Sequence, residues 1–259
     1  MHSLETFVRR THSCNEGHMP TESIGVAAAR ELVARVDDGA MAELAEVSRA
    51  YVPAVLAEIG ELETARVANP RELARRAILF GIATPNRDET DSLGWALAAA
   101  PRFGAVSPVD LSETRYRSLK TDQDGNTIGL GQSLTGAIED VYARLADAAP
   151  AELTPGRLET VRGVGPKVAR MITAVANPNA RVWTVDLWHA RQLLWAAGLE
   201  YRVRASVDAA AYPILEACWL AYRDEHFGDL PTWCAQWSTW NAADGRHNPH
   251  HALWADLAA

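Results

Sequence analysis

Lys167 and Asp186 are the two residues whose types and spacing point most directly to chemistry. The chain has 25 basic residues, yet only Lys120 and Lys167 are lysines. A lysine that is desolvated against apolar groups can lose its proton and act as a nucleophile, whereas the guanidinium of an arginine stays protonated. Asp186 begins a helical pattern nineteen positions after Lys167, in the segment TVDLWHAR. The pair could therefore attack an electrophilic carbon and stabilise the positive charge that develops there.

The lysine follows a turn that predicts an anion site. We predict a short helix over residues 158–162, a tight turn at Gly163-Val164-Gly165 and a second helix that begins at Pro166. Glycine allows a close approach of the backbone to another molecule, and proline suits the first helical position. The N–H groups of such a turn point outward together and suit a phosphate. A turn with two glycines is common, but the full string GVGPKVA is more specific.

The elements that position these residues are predicted to be helices. Apolar residues recur at helical spacing along most of the chain, whereas an alternating strand pattern is not seen. Residues 120–131 have turn chemistry with a short extended piece. The predicted helices cover residues 23–36, 41–52, 53–67, 70–83, 89–100, 133–149, 158–162, 166–176, 186–197, 207–223 and 232–243. We therefore predict an all-α protein, with a loose segment at 1–20 and a single helical domain at 21–259.

Composition and charge limit the function classes. Of the 259 residues, 48% are hydrophobic, but no apolar run reaches the roughly 20 residues that span a bilayer. The first residues lack the order of a secretory signal, so we expect a cytoplasmic protein. The net charge is −8, yet Arg157–Arg204 holds eight basic residues against three acids, which is compatible with local binding of a polyanion. Such a charge run can equally be a solvated surface.

The string GVGPKVA, followed by TVDLWHAR, resembles the helix–hairpin–helix, Gly/Pro…Asp superfamily of DNA glycosylases. Within it the chain is most similar to the 8-oxoguanine DNA glycosylases. The resemblance covers roughly residues 72–244 and is strongest over 158–195. It implies the helix–hairpin–helix glycosylase fold, with two helical subdomains that flank a cleft and the hairpin motif at about 158–176.

The resemblance also implies a role for each matched residue. Lys167 would attack C1′ of the sugar and form a Schiff base, while Asp186 would stabilise the charge on the sugar. The alternative for Asp186 is a purely structural role as a helix N-cap. The residues implied in binding the DNA phosphates are Gly163, Val164, Gly165, Arg170 and Arg191. Arg191, five residues after Asp186, also matches the superfamily pattern.

Other residues are implied in recognition of a base that is flipped out of the duplex. Gln236 would read the edge of the base and Trp240 would stack on its face, while Met171 and Trp188 would line the pocket. Asn86 would be the wedge that fills the gap left in the duplex. The alternatives are a surface glutamine, core packing for Trp240 and Met171, and a simple turn former at Asn86.

We expect no cofactor, and no metal site apart from a structural K⁺ or Na⁺ on the backbone carbonyls of Arg162 and Val164, which the resemblance implies. The three cysteines (Cys14, Cys218 and Cys234) form no CxxC pair, which argues against an iron–sulfur cluster or a zinc ribbon. The implied partner is double-stranded DNA that contains a damaged or modified base. We expect a monomer that does not bind membranes.

The expected function is base excision repair by a DNA glycosylase with AP-lyase activity that removes an oxidised purine, 8-oxoguanine. Two departures from the pattern keep other readings open. Trp188 stands where the family commonly has histidine, and the first 70 residues look helical where some relatives carry a β-rich lobe. One alternative is an enzyme of the same fold that acts on a hypermodified, phage-type base. The other is a non-catalytic helix–hairpin–helix module that binds DNA.

Overall fold

The computed structural model describes residues 23–84, 89–117, 127–129, 134–199, 206–244 and 249–258. This part of the chain is predominantly helical, in agreement with the all-α prediction. Its α-helices are α1 (Val26–Arg35), α2 (Asp38–Arg49), α3 (Val52–Ala68), α4 (Pro70–Ala83), α5 (Glu89–Ala99), α6 (Pro108–Ser112), α7 (Thr135–Arg144), α8 (Pro155–Leu158), α9 (Pro166–Ala176), α10 (Leu187–Ala196), α11 (Tyr212–Phe227) and α12 (Thr232–Asp244).

The strands are two or three residues long and form two separate pairs. Strands β1 (Ser23–Ile24) and β4 (Ser206–Val207) pair in parallel, and β2 (Arg115–Arg117) and β3 (Thr127–Gly129) pair antiparallel. The extended piece predicted within residues 120–131 is β3.

Several predicted helices have different bounds in the structure. The helix predicted at 41–52 is Asp38–Arg49, and the helix predicted at 133–149 is Thr135–Arg144. The helix predicted at 158–162 lies earlier, at Pro155–Leu158, because Thr154 and Pro155 begin it and the chain turns immediately afterwards. The helix predicted from Val207 begins at Tyr212, since Val207 pairs with Ile24 in the parallel ladder. Pro70 and Pro166 are each the first residue of a helix, as predicted, and Pro108 begins α6, a short helix that the sequence analysis does not predict.

The chain divides into two compact units. The first consists of Met1–Leu56 and Arg181–His247, and the second of Ala57–Ala180 and Asn248–Ala259. The first unit therefore holds α1, α2, the beginning of α3 and α10–α12. The second unit holds the rest of α3, α4–α9 and the C-terminal segment.

The core of the first unit is rich in aromatic side chains. Trp183 and Trp219 are fully buried and stack, with ring centroids 5.1 Å apart and an interplanar angle of 7°. Tyr222 meets the Trp219 ring edge-on at 5.2 Å. Aliphatic side chains of α2 and α10, among them Leu44 and Leu193, complete this core. Aromatic pairs in these geometries stabilise a core beyond their buried area.

In the second unit, helix α9 packs closely against α4. A Cβ added at Gly81 would lie 2.5 Å from the side chain of Ile172, so only glycine allows the two helices to approach this far. The Thr173 hydroxyl, on α9, lies 2.8 Å from the carbonyl oxygen of Leu153 and donates to it. The face of α9 that carries Val168 and Ile172 is buried, so Lys167 lies outside that stripe.

The C-terminal segment is held on α4 by a buried arginine. The Arg76 guanidinium donates to both carboxylate oxygens of Asp256, to the carbonyl oxygen of Leu253 and to Glu72. The ring of His250 meets Phe80 edge-on, with centroids 4.9 Å apart. This segment is therefore part of the second unit's packing. No helix in the described ranges is long and apolar enough to cross a membrane.

Candidate functional site

The hairpin turn that precedes α9 has the backbone geometry that its glycines predict. Gly163 has φ 79°, in the left-handed region, whereas Gly165 is extended, with φ −87° and ψ 177°, and is the N-cap of α9. Both glycines are exposed, and a Cβ added at either would meet no atom within 4 Å. Gly163 is therefore required by conformation. Neither conformation nor packing requires a glycine at Gly165, so the open space above it is available to another molecule.

Helix α7 holds this turn in place. The backbone N–H of Arg162 donates to Asp140 Oδ2 at 2.8 Å, and the Val164 N–H donates to the carbonyl oxygen of Val161 at 3.1 Å. The Arg162 side chain lies over Gly136, in the first turn of α7, where an added Cβ would be 2.3 Å from Arg162 Nη1. The sequence predicts a monovalent cation on the carbonyl oxygens of Arg162 and Val164. In the structure the backbone N–H groups of the same two residues are hydrogen-bonded, which holds the turn in place.

The residues of α9 differ in their exposure. Lys167, at the second helical position, is exposed, whereas Met171 is only 5% exposed and belongs to the core of the second unit. Arg170 is half-buried and forms an ion pair with Glu159, so its charge is partly neutralised. The Lys167 side chain is therefore accessible to a bound molecule.

The segment that leads to Asp186, residues 181–185, is irregular, and side chains of α11 and α12 satisfy its backbone. The N–H of Trp183 donates to Glu216 Oε1 at 3.1 Å, and the N–H of Thr184 donates to Gln236 Oε1 at 2.7 Å. The Val185 N–H donates to the hydroxyl of Tyr212 at 2.7 Å. Buried backbone groups that lack secondary-structure partners need such bonds. The approach to Asp186 is therefore fixed by long-range contacts.

An ion pair secures the start of the same segment. The Arg181 guanidinium donates to both carboxylate oxygens of Asp224, at 3.1 and 2.6 Å. These hydrogen bonds, together with one from Arg223, hold the pKa of Asp224 below its ordinary value. The pair is exposed, so its main effect is to orient the chain.

Asp186 is the N-cap of α10, and its carboxylate is held at both oxygens. Oδ1 accepts from the backbone N–H of His189 at 2.9 Å and lies 2.8 Å from His189 Nδ1. Oδ2 accepts from the indole Nε1–H of Trp240 at 3.1 Å. The side chain of Asp186 is 18% exposed. The capping role and a chemical role are thus compatible, since capping uses only one oxygen of a partly accessible carboxylate.

Trp188 and Arg191 contact each other on α10. The Arg191 guanidinium lies over the Trp188 ring, 5.1 Å from its centroid, and both residues are half-buried. A cation–π contact of this kind places the arginine without removing its charge. Trp188 therefore orients Arg191, a residue predicted to bind phosphate.

Gln236 and Trp240 are both buried in the structure. Gln236 is 4% exposed, and Trp240 is 8% exposed with its ring 5.1 Å from that of Trp237. One polar atom of each side chain is engaged, Gln236 Oε1 with the Thr184 N–H and Trp240 Nε1 with Asp186. Base recognition through these two side chains requires that their surroundings open. The predicted wedge, Asn86, lies outside the described residues.

Other side chains offer little chemistry of their own. Burial raises the pKa of the Cys218 and Cys234 thiols to about 11, so both are protonated at neutral pH and are poor nucleophiles. Within the described ranges, no group of three or more His, Cys, Asp or Glu side chains could hold a metal ion.

His189, which contacts the Asp186 carboxylate, is the residue of the candidate site that the sequence analysis does not predict. The Asp-x-x-His spacing at a helix start could have found it, because an N-cap side chain and the third helical residue are neighbours.

Lys167 belongs to the second unit and Asp186 to the first, so their pairing remains a prediction of the sequence. Comparison of the chain with protein-family models, with curated proteins and with solved structures found no match.

Proposed function

We propose that the protein is a DNA glycosylase with AP-lyase activity, of the helix–hairpin–helix type, in which Lys167 is the nucleophile. The observation that carries the proposal is the hairpin: an exposed lysine at the second position of a helix follows an exposed turn whose glycine at 165 leaves open space. Exposed backbone N–H groups at a helix start suit a phosphate, and DNA presents phosphates at regular intervals. A lysine beside a bound phosphate can reach the adjacent sugar.

The reaction proposed for Lys167 starts from the neutral amine. Its nitrogen bonds to C1′ of the sugar while the bond from C1′ to the base breaks, and the base leaves with the bonding electron pair and takes up a proton. Opening of the sugar ring then gives a Schiff base between C1′ and Lys167. Loss of a proton from C2′ expels the 3′ phosphate and cuts the strand. Because Lys167 is exposed, bound DNA must supply the desolvation that favours its neutral form.

Asp186 is proposed to act on the charge that develops at the sugar. As the base leaves, the sugar takes on oxocarbenium character, and a fixed carboxylate stabilises that positive charge. The same carboxylate can accept the proton that the amine loses once it has bonded to C1′. The bonds to Oδ1 and Oδ2 hold this carboxylate in one orientation, which supports the assignment. We further infer a cytoplasmic monomer that acts on double-stranded DNA.

Excision from defined duplexes tests this proposal. The wild-type protein is incubated with end-labelled duplexes that each hold one modified base, 8-oxoguanine among them, and the products are separated with and without borohydride. We expect strand cleavage at the lesion and, with borohydride, a covalent protein–DNA adduct. No adduct and no cleavage with any duplex would contradict the enzyme assignment, and salt-sensitive binding without cleavage would leave the alternative of a binding module.

Three lysine variants separate the roles of charge and nucleophile. Lys167→Arg keeps the positive charge but has no nucleophilic amine, so we expect retained DNA binding and no adduct. Lys167→Ala loses the adduct and part of the binding. Lys120→Ala is the matched control, since it removes the only other lysine, and its adduct is expected to equal that of the wild type.

A second candidate is an enzyme of the same fold that acts on a hypermodified base. The engaged oxygen of Gln236 favours it, because an oxygen that accepts from the Thr184 N–H has only one lone pair left for a base. Trp188, which replaces the family's usual histidine, points the same way. Mass spectrometry of the duplexes distinguishes the two, since a transferase adds a group to the base and leaves the strand intact.

A further inference from the structure

The two oxygens of Asp186 are bound from two different helices. His189, on α10, contributes its backbone N–H and Nδ1 to Oδ1, and Trp240, on α12, contributes its indole N–H to Oδ2. An ionised carboxylate only accepts hydrogen bonds, so these donors match it. The N–H of residue 189 is an ordinary helix cap, but the imidazole and the indole are not needed for capping.

The environment of His189 selects one form of its ring. His189 is 1% exposed, and its ring meets those of Trp183 and Trp219 edge-on, at 5.5 and 5.3 Å between centroids. Its Nε2 is buried and has no hydrogen-bond partner in the described part of the chain. With the proton on Nε2, the Nδ1 lone pair would face Asp186 Oδ1 at 2.8 Å with no hydrogen between the two atoms, which is unfavourable. The proton therefore belongs on Nδ1, where it is donated to Asp186.

The environment of Trp240 limits what its ring can do. The ring is 8% exposed and packs edge-on against Trp237, while its only polar atom is bonded to Asp186. A ring in this position can donate a hydrogen bond to the neighbouring carboxylate, whereas little of its face is exposed for a flipped base to stack on. Its hydrogen bond also joins α12 to the start of α10.

We propose that His189 and Trp240 are positioning residues that hold the Asp186 carboxylate in its working orientation, an inference that rests on the proposed function. His189 acts as the Nδ1–H tautomer and fixes Oδ1, and Trp240 fixes Oδ2. Neither residue touches the substrate. A preorganised carboxylate stabilises developing charge without having to reorient during the reaction. Trp240 thereby has a role different from the base stacking that the sequence implies.

Nitrogen-15 NMR of histidine-labelled full-length protein tests the geometry without any substrate. The signals of His189 are those that disappear in His189→Asn, which keeps a short side chain with an N–H donor. At pH 7 we expect the Nδ1–H tautomer for His189 in the wild type, and a slowly exchanging indole N–H for Trp240. An Nε2–H tautomer or a doubly protonated ring at His189 would overturn the inference, whatever the protein's activity.

Single-turnover excision tests the positioning role itself. Trp240→Phe keeps an aromatic ring but removes the donor, so we expect the rate of bond cleavage to fall roughly ten- to hundred-fold, the value of one hydrogen bond to a charged group. DNA affinity should stay unchanged. If Trp240 instead stacks on the base, Trp240→Phe retains the rate, and that result would overturn the inference.

The histidine variants supply the matched comparison. His189→Leu removes the side-chain donor and should slow cleavage to a similar extent, whereas His189→Asn should restore most of the rate. Thermal unfolding is measured alongside, so that only variants with wild-type stability are compared. Equal rates for wild type, His189→Leu and His189→Asn would overturn the inference. An inactive wild type would count against the proposed function alone, because the NMR result stands apart from it.

Discussion

Substitution of the two hairpin glycines by alanine separates the needs of the fold from those of a ligand. Gly163 has φ 79°, and an alanine there costs about 1–2 kcal/mol because its Cβ meets the following carbonyl oxygen. Gly165 has φ −87° and open space around an added Cβ, so Gly165→Ala should change the free energy of unfolding by no more than about 0.5 kcal/mol. The first variant is thus expected to be destabilised and the second to be stable.

We expect Gly165→Ala, the stable variant, to lose DNA affinity directly. At Gly165 the new methyl group would occupy open space that the proposed phosphate site needs, so we expect a phosphate to lose one charge-assisted hydrogen bond. Such a bond is worth about 1.5–3 kcal/mol, which corresponds to roughly a ten- to hundred-fold weaker Kd. Gly156→Ala is the control, because Gly156 is also exposed and open but lies in α8, away from the turn.

Two measurements decide the outcome. Urea unfolding gives the stability of the Gly163, Gly165 and Gly156 variants, and fluorescence anisotropy with a labelled duplex at two salt concentrations gives their affinity. We expect Gly165→Ala to bind more weakly with unchanged stability, and Gly156→Ala to bind as the wild type does. Wild-type affinity in Gly165→Ala would refute the assignment of the turn as a phosphate site.

Two further predictions concern contacts that hold each unit together. Asp256→Asn should lower stability at pH 7 by at most about 1 kcal/mol, since the carboxylate is largely exposed. The hydrogen bond from Arg76 lowers the pKa of Asp256, so the wild type should lose the stability that this carboxylate contributes as the pH falls below about 4. Asp256→Asn has no carboxylate at this position and should show no such loss. Urea unfolding of both proteins at a series of acidic pH values checks this prediction. Gln236→Leu leaves the buried Thr184 N–H without an acceptor and should cost about 1–3 kcal/mol, whereas Gln236→Glu should retain most of the stability. If Gln236→Leu unfolds at the wild-type urea concentration, its oxygen is free to read a base.

The helices were predictable because their signals are local. Apolar spacing and proline located α9 and α10 closely, and a glycine at 163 correctly indicated a turn. The same periodicity places Val168 and Ile172 on the buried face, from which the exposure of Lys167 could have been inferred. The predicted bounds of the short helix α8 are wrong because Thr154 and Pro155 form a helix-start signal that begins the helix earlier.

The setting of Asp186 was only partly predictable. The N-cap and His189 are local features, three residues apart, and a helix start explains both. The bond from Trp240 joins residues 54 apart in sequence, and Gln236 supports Thr184 over a separation of 52. Such contacts depend on how α12 packs in the first unit, which no spacing pattern encodes. Sequence therefore found the candidate carboxylate but assigned its tryptophan neighbour a different role.

Peptide mapping of the borohydride adduct tests the central claim most directly. The wild-type protein is incubated with a duplex that contains the base to be excised, and borohydride reduces the Schiff base to a stable adduct. The adduct is digested, and mass spectrometry identifies the peptide that carries the sugar. We predict that the sugar is attached to the Nζ atom of Lys167. Attachment at Lys120 or at the N-terminal amine, or a complete lack of adduct, would contradict the account.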